Sequence, residues 1–193
     1  MAFWSAVGTE PKRQHRWKVV FPSAGIALQS ISYALKKVDK PKAEIGEITH
    51  QYLNHEFYYP GRLKWQPVSM TFASVTQVDA NELVNNVLLV AGYGVPQNAG
   101  LTPEQMATIG KNKFAGALGR KIYIQQVDAD GLQIEEWELN NPFFTNVEFG
   151  SLDYSSEEIV EITCTVRYDW AKLNPSLGGG EPEVNPAGSP GLP

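Results

Sequence analysis

The chain offers few side chains of the kinds that catalyse or hold metals, so their spacing decides early which chemistry is open. Three histidines are present. His50 and His55 are five residues apart, which on one regular strand puts them on opposite faces and denies them a shared ion. His15 stands in the basic run Pro11-Lys12-Arg13-Gln14-His15-Arg16 and reads as part of a charged loop. Asp128-Ala129-Asp130-Gly131 opens like a calcium loop, but its glycine comes fourth instead of sixth and no glutamate stands at the bidentate position, so it reads as a turn. Glu135, Glu136 and Glu138 could suggest the carboxylate pair of a glycoside hydrolase, yet adjacent strand residues face opposite ways. Gly110-Lys111 echoes a phosphate loop, with Gln105 where the first glycine belongs and Asn112 where Ser or Thr would meet the metal. Cys164 is the single cysteine, which excludes an internal disulfide and a zinc site of several thiolates. Its place on an apolar strand face suits a buried thiol better than a nucleophile. No acid, base, nucleophile or metal set stands at working spacing, and neither an enzyme nor a cofactor is expected.

What remains is the framework. The 193 residues are 42% hydrophobic, 11% aromatic and 19% charged, a globular composition that is poor in charge. Period-two alternation predicts strands in most of the chain. Trp17, Val19 and Phe21 share a face. Residues 32–39, 47–59 and 63–73 come after it, with a turn at Pro60-Gly61 and with Val68, Met70 and Phe72 on one side of the last run. Lys121–Val127 and residues 132–139 flank the Asp130-Gly131 hairpin signal. Residues 145–154 and 158–170 come next, separated by Ser155-Ser156. The last strand is the most regular, with Val160, Ile162, Cys164, Val166 and Tyr168 opposing Glu161, Thr163, Thr165 and Arg167. One helix is predicted over 79–91, with Asp79 as N-cap, Glu82 three residues on, and an apolar stripe of Leu83, Val84, Val87, Leu88 and Ala91 before Gly92. A shorter helix is expected over 102–110. The order gives a β-rich sandwich or barrel carrying one helix.

Residues 174–193 hold five glycines and five prolines with no aromatic, and are expected to form a flexible or extended tail on a single domain of residues 1–173. No basic, then apolar leader opens the chain and no stretch approaches the ~20 apolar residues of a membrane span, so a soluble protein without membrane insertion is expected. The net charge of −5 argues against a dedicated nucleic-acid binder. It also conceals a sorting. Residues 10–42 carry eight basic and two acidic side chains, and residues 128–169 carry one basic and eleven acidic. Two faces of opposite sign, able to meet between subunits, are expected.

Leu35-Lys36-Lys37-Val38-Asp39-Lys40-Pro41-Lys42 and the run from Tyr58-Tyr59-Pro60-Gly61-Arg62 through Trp65 to Val68-Ser69-Met70-Thr71-Phe72 resemble the tail tube proteins of contractile-tailed (T4-like) bacteriophages. Trp137-Glu138-Leu139-Asn140-Asn141-Pro142-Phe143 and the final strand ending in Tyr168-Asp169-Trp170 extend the resemblance over residues 16–173. It implies a mainly β (α+β), sandwich or barrel-like tail-tube fold with one flanking helix, whose strands join those of neighbouring subunits into a continuous inner barrel. It implies a structural virion subunit, assembled in the host cytoplasm into stacked hexameric rings that conduct the genome at ejection. The partners would be copies of itself, the tail sheath protein, baseplate and tail-terminator proteins, a tape-measure protein in the lumen, and DNA in transit without specific binding. Glu161, Thr163 and Thr165 would face the lumen; Lys36, Lys37, Lys40, Lys42, Tyr58, Tyr59 and Arg62 would lie between subunits. The alternatives are a baseplate tube initiator, a secretion-type tube protein, or a sandwich that binds carbohydrate or protein through Trp4, Trp17, Trp65, Tyr58 and Tyr59.

Overall fold

The computed structural model describes residues 11–22, 32–75, 79–93, 109–155 and 157–175. In them the alternating patterns become ten strands. These are β1 (Trp17–Val20), β2 (Leu35–Val38), β3 (Lys42–Tyr52), β4 (His55–Gln66), β5 (Val68–Ala73), β6 (Lys121–Val127), β7 (Gln133–Asn140), β8 (Phe143–Glu148), β9 (Glu161–Arg167) and β10 (Trp170–Pro175). Two helices stand between β5 and β6: α1 (Ala80–Val90) and α2 (Lys111–Ala117). One four-stranded sheet has the order β1-β6-β7-β10, a second the order β2-β5-β9-β8, and β3 and β4 pair only with each other. The sheets are open, not closed into a barrel, and all pairings are antiparallel.

The core forms where the apolar faces of the two sheets meet. Val19 and Phe21, Ile122 and Ile124, and Leu139 come from the first sheet; Val68, Met70 and Phe72, and Ile162, Cys164, Val166 and Tyr168 come from the second side. The register pairs them directly, with Val68 opposite Val166, Met70 opposite Cys164 and Phe72 opposite Ile162. Each such buried side chain contributes about 1.5–3 kcal/mol through removal from water. Helix α1 begins as expected, the Asp79 carboxylate accepting the Asn81 N–H at 2.9 Å, and buries Ala80 and Val84 against this core. Its other end joins a satellite cluster of Val87, Ala91, Phe114, Ala117 and Leu118. Phe114 there meets Phe144 edge-on at 6.1 Å.

Three differences from the sequence-based expectations have physical causes. Pro60 and Gly61 lie inside β4, not at a turn; the chain reverses at Leu53-Asn54, where Leu53 takes a left-handed φ of 55°. The glycine serves close approach, since a Cβ at Gly61 would stand 2.9 Å from the Gly46 carbonyl oxygen at the bulge between Ile45 and Glu47. A second helix is present in α2, which Lys111 ties to the body by donating to Asp169. The short helix expected over 102–110 lies outside the described residues except for Ile109 and Gly110. The strand expected over 158–170 divides into β9 and β10, and β10 adds an edge to the first sheet with Trp170 opposite Asn140 and Pro175 opposite Glu135.

The contrast between core and hairpin is testable by urea denaturation. Ile162→Ala lowers the unfolding free energy by about 2–5 kcal/mol, because it empties a fully buried site. Tyr58→Ser, on the exposed hairpin, changes it by less than about 0.5 kcal/mol.

Candidate functional site

Three surfaces concentrate the features that the core does not use. The first is the β3–β4 hairpin. Every residue of β3 is exposed, and so are most of β4. At about 3.4 Å per residue, eleven residues carry this ribbon some 35 Å. Directly opposed residues share a face, so Ile48 with Tyr59, His50 with Phe57, and Tyr52 with His55 form one side of its outer half. The other side carries Thr49, Tyr58, Gln51 and Glu56. There the Tyr58 hydroxyl donates to Glu56 at 2.9 Å, and Gln51 donates to the other Glu56 oxygen. The aromatic side is 48–62% exposed at Ile48, Tyr52, Phe57 and Tyr59, far more apolar area than a lone ribbon has reason to present. The family resemblance pointed to Tyr58, Tyr59, Arg62 and Lys42 here and left out Ile48, Tyr52 and Phe57. The reversal at Leu53-Asn54 also puts His50 and His55 on one face instead of two. Among the described residues no group of three or more metal-binding side chains forms.

The second surface is the outward face of the β2-β5-β9-β8 sheet. Glu161, Thr163 and Thr165 point away from the core along β9. They stand opposite Ala73, Thr71 and Ser69 of β5, while Glu148 and Asn146 of β8 flank Thr163 and Thr165. The result is a sheet face of small polar and acidic side chains. Lys36 reaches this face and pairs with Glu161. Cys164, on the opposite side of the same strand, is fully buried, and burial pushes its thiol up to about 12, which removes it as a nucleophile.

The third is a cleft of about 620 Å³ at one end of the sandwich, lined by Lys12, Lys36, Lys37 and Lys40 around Trp17, Trp137 and Glu135. Glu135 accepts hydrogen bonds from the Lys12 and Lys40 ammonium groups and, at 2.8 Å, from the Trp137 indole N–H. Burial alone would raise its pKa. The three donors and the positive charge outweigh that and hold the carboxyl at about 2. Thus Lys36 and Lys40 each engage a carboxylate of their own chain, and so do Lys111 and Lys121. The basic and acidic segments expected to meet between subunits meet within one at the Lys12, Lys36 and Lys40 pairs. Trp17 and Trp65 pack against the core, with Trp65 6.2 Å from the Tyr168 ring. That leaves Tyr58 and Tyr59 as the exposed members of the proposed aromatic binding set among the described residues, Trp4 lying outside them.

Because the folded Glu135 carboxyl is more acidic than the ordinary value of 4.5, its ionised form stabilises the fold at neutral pH, and that contribution drains away as pH falls from 4.5 towards about 2. Glu135→Gln is accordingly less stable than the unaltered chain at neutral pH, and the gap closes through that window. Chemical denaturation at a series of pH values measures it; a gap that stays constant to the acid limit contradicts the assignment.

No protein-family model matches the chain. The tail tube protein of Serratia phage KSP90 is 27% identical to it over 167 residues, covering 81% of this chain and 85% of that protein. Among solved structures, a chain in the cryo-EM structure of the anti-feeding prophage cap aligns over 91% of this chain and all of that one, with a TM-score of 0.60 and 15% identity. One in the anti-feeding prophage baseplate aligns over 86% and 97%, with a TM-score of 0.59 and 11% identity. A chain in the sheath/tube terminator of an extracellular contractile injection system, PVC, aligns over 88% and 99%, with a TM-score of 0.58 and 15% identity. The fold is therefore that of chains found in contractile injection-system assemblies, and by sequence the chain is similar to a phage tail tube protein.

Proposed function

We propose that the chain is a structural, non-catalytic subunit of a phage tail tube, which assembles with copies of itself into stacked hexameric rings that conduct the genome. One observation carries this: the fold is unfinished as a single copy. Among the described residues each sheet has two edge strands with no strand paired on their outer side, β1 and β10 in one, β2 and β8 in the other, and such edges invite pairing unless something covers them. Joining β2 of one subunit to β8 of the next would extend the second sheet around a ring and close it without edges. Its outward face would then line the lumen with Glu161, Thr163 and Thr165, together with Glu148 and Asn146. Acidic and small polar groups hold no phosphate, so DNA would pass without being bound.

The hairpin supplies the contact along the axis. Its aromatic side, with Tyr59 and, nearer the body, Lys42 and Arg62, would lie on the neighbouring ring. Tyr58 would hold the ribbon's polar side through Glu56. Lys36, Lys37 and Lys40 would stand near the joint between subunits, at the β2 edge. Residues 1–173 would act as the ring-forming unit, with Asn174 and Pro175 completing β10 and the rest of residues 174–193 appended. The relative's name and the cap, baseplate and sheath/tube assemblies of the structural neighbours support further partners of those kinds, in a virion tail assembled in the host cytoplasm. A tape-measure protein would occupy the lumen before DNA does.

Negative-stain electron microscopy of the concentrated protein tests the proposal. Hollow tubes, or six-fold rings, are expected from the unaltered chain. Ile48→Lys combined with Tyr59→Lys leaves the circular dichroism spectrum unchanged and abolishes stacking, giving rings or monomers at concentrations where the parent forms tubes. Monomers alone from the parent chain, across pH and salt, overturn it.

A further inference from the structure

The cleft at the open end of the sandwich has a charge excess that its own residues do not neutralise. Four ammonium groups line it, against the single carboxylate of Glu135. Lys12 and Lys40 share that carboxylate, and Lys36 turns to Glu161. The Lys37 ammonium group has no ionic or hydrogen-bonding partner among the described residues. The floor of the cleft belongs to one row of the first sheet. Trp17 stands opposite Gln126, Gln126 opposite Glu135, and Glu135 opposite Pro175. Pro175 is also the last described residue, so the segment that follows it in sequence continues from the end of the row that floors the cleft.

Beyond Pro175 the chain continues as Ser176-Leu177-Gly178-Gly179-Gly180-Glu181-Pro182-Glu183. Opposed Cα atoms in an antiparallel ladder are about 5 Å apart, and crossing from β10 to β1 takes three strand spacings, about 14 Å. Six residues from Pro175 to Glu181 span up to about 20 Å, more than the width of the row that floors the cleft. Three successive glycines allow the chain to reverse without the steric cost that a side chain adds at positive φ. Length, the place of Pro175 and charge agree on one occupant.

We propose that Glu181 and Glu183 dock in the lysine cleft of their own chain, where their carboxylates meet Lys37 and its neighbours and cover a basic patch that would otherwise take phosphates. This inference stands apart from the tube reading, since a monomer could make the contact equally well.

Zero-length carbodiimide cross-linking of the full chain, followed by mass spectrometry, tests it. Unlabelled and isotope-labelled chains are mixed as unassembled protein before reaction, and the Lys111 to Asp169 pair is the internal control for coupling. Links from Glu181 or Glu183 to Lys12, Lys36, Lys37 or Lys40 are expected in isotopically pure pairs, with a several-fold fall in yield at high salt, where exposed pairs are screened. Control links without tail links overturn the proposal. Tail links of which about half are mixed-isotope pairs, the share that random pairing of equal amounts of the two chains gives, overturn it as well, because they assign the segment to a neighbouring copy's cleft. Microscopy of the same samples reports tube formation separately, so the two proposals fail independently.

Discussion

Strand β9 is the constraint on which the rest of the molecule depends. It lies between β5 and β8 in the second sheet, and its alternation assigns each side chain to one of two unlike environments. Ile162, Cys164 and Val166 are fully buried, while Glu161, Thr163 and Thr165 face outward. A shift of one residue would bring three polar groups into the core and expel three apolar ones, so the register admits no neighbour. That single choice sets the pairing of Val68, Met70 and Phe72 on one flank and of Phe144, Asn146 and Val147 on the other. The same choice produces the polar sheet face. Core and candidate lumen are therefore two sides of one pattern, and a substitution on β9 cannot alter one without consequence for the other.

The hairpin obeys a different logic. A two-stranded ribbon is marginal in water by itself, and this one spends Ile48, Tyr52, Phe57 and Tyr59 on solvent. Polar residues at those positions would cost the isolated subunit little. Their apolar character makes sense as surface reserved for a second copy, with burial deferred until assembly. The bulge at Gly46, with Gly61 pressed against its carbonyl, increases the local twist between the inner and outer halves of the ribbon.

How much was legible in the sequence depends on the physics of each element. The core strands were legible because one buried and one wet face write a period of two: Val68-Met70-Phe72 and Ile162-Cys164-Val166 sit where alternation puts them. Helix α1 announced itself through Asp79 and its stripe. The hairpin was misread because both of its faces are exposed, so burial imposed no strict alternation, and because its turn uses Leu53 in a conformation that favours glycine while Pro60-Gly61 imitates a turn within a strand. Strand β10 was missed because Asn174 and Pro175 belong by composition to the Gly/Pro-rich segment; what makes them strand is a partner, β7, more than thirty residues away. The outward residues of β9 were legible as a set. The aromatic side of the hairpin was not, since it depends on which residues a turn brings opposite.

The charge sorting of the sequence was real, but the fold puts much of it to local use. Lys12, Lys36 and Lys40 from the basic segment meet Glu135 and Glu161 from the acidic one. Exposed pairs of this kind are screened by water and contribute little, whereas Glu135 is mostly buried and gains more from its three donors. The ion pairs thus pin the basic segment across an end of the sandwich that apolar packing leaves open. Lysines already engaged in this way have less to offer a neighbouring subunit, and the burden of directional stacking passes to the hairpin. A ribbon that leaves one side of a subunit and lands on an unlike surface of the next makes a heterologous contact, which propagates instead of closing on itself. In the proposed assembly the direction of growth is therefore set by where an apolar ribbon points, and opposite charges at the two ends of a ring are not required for it.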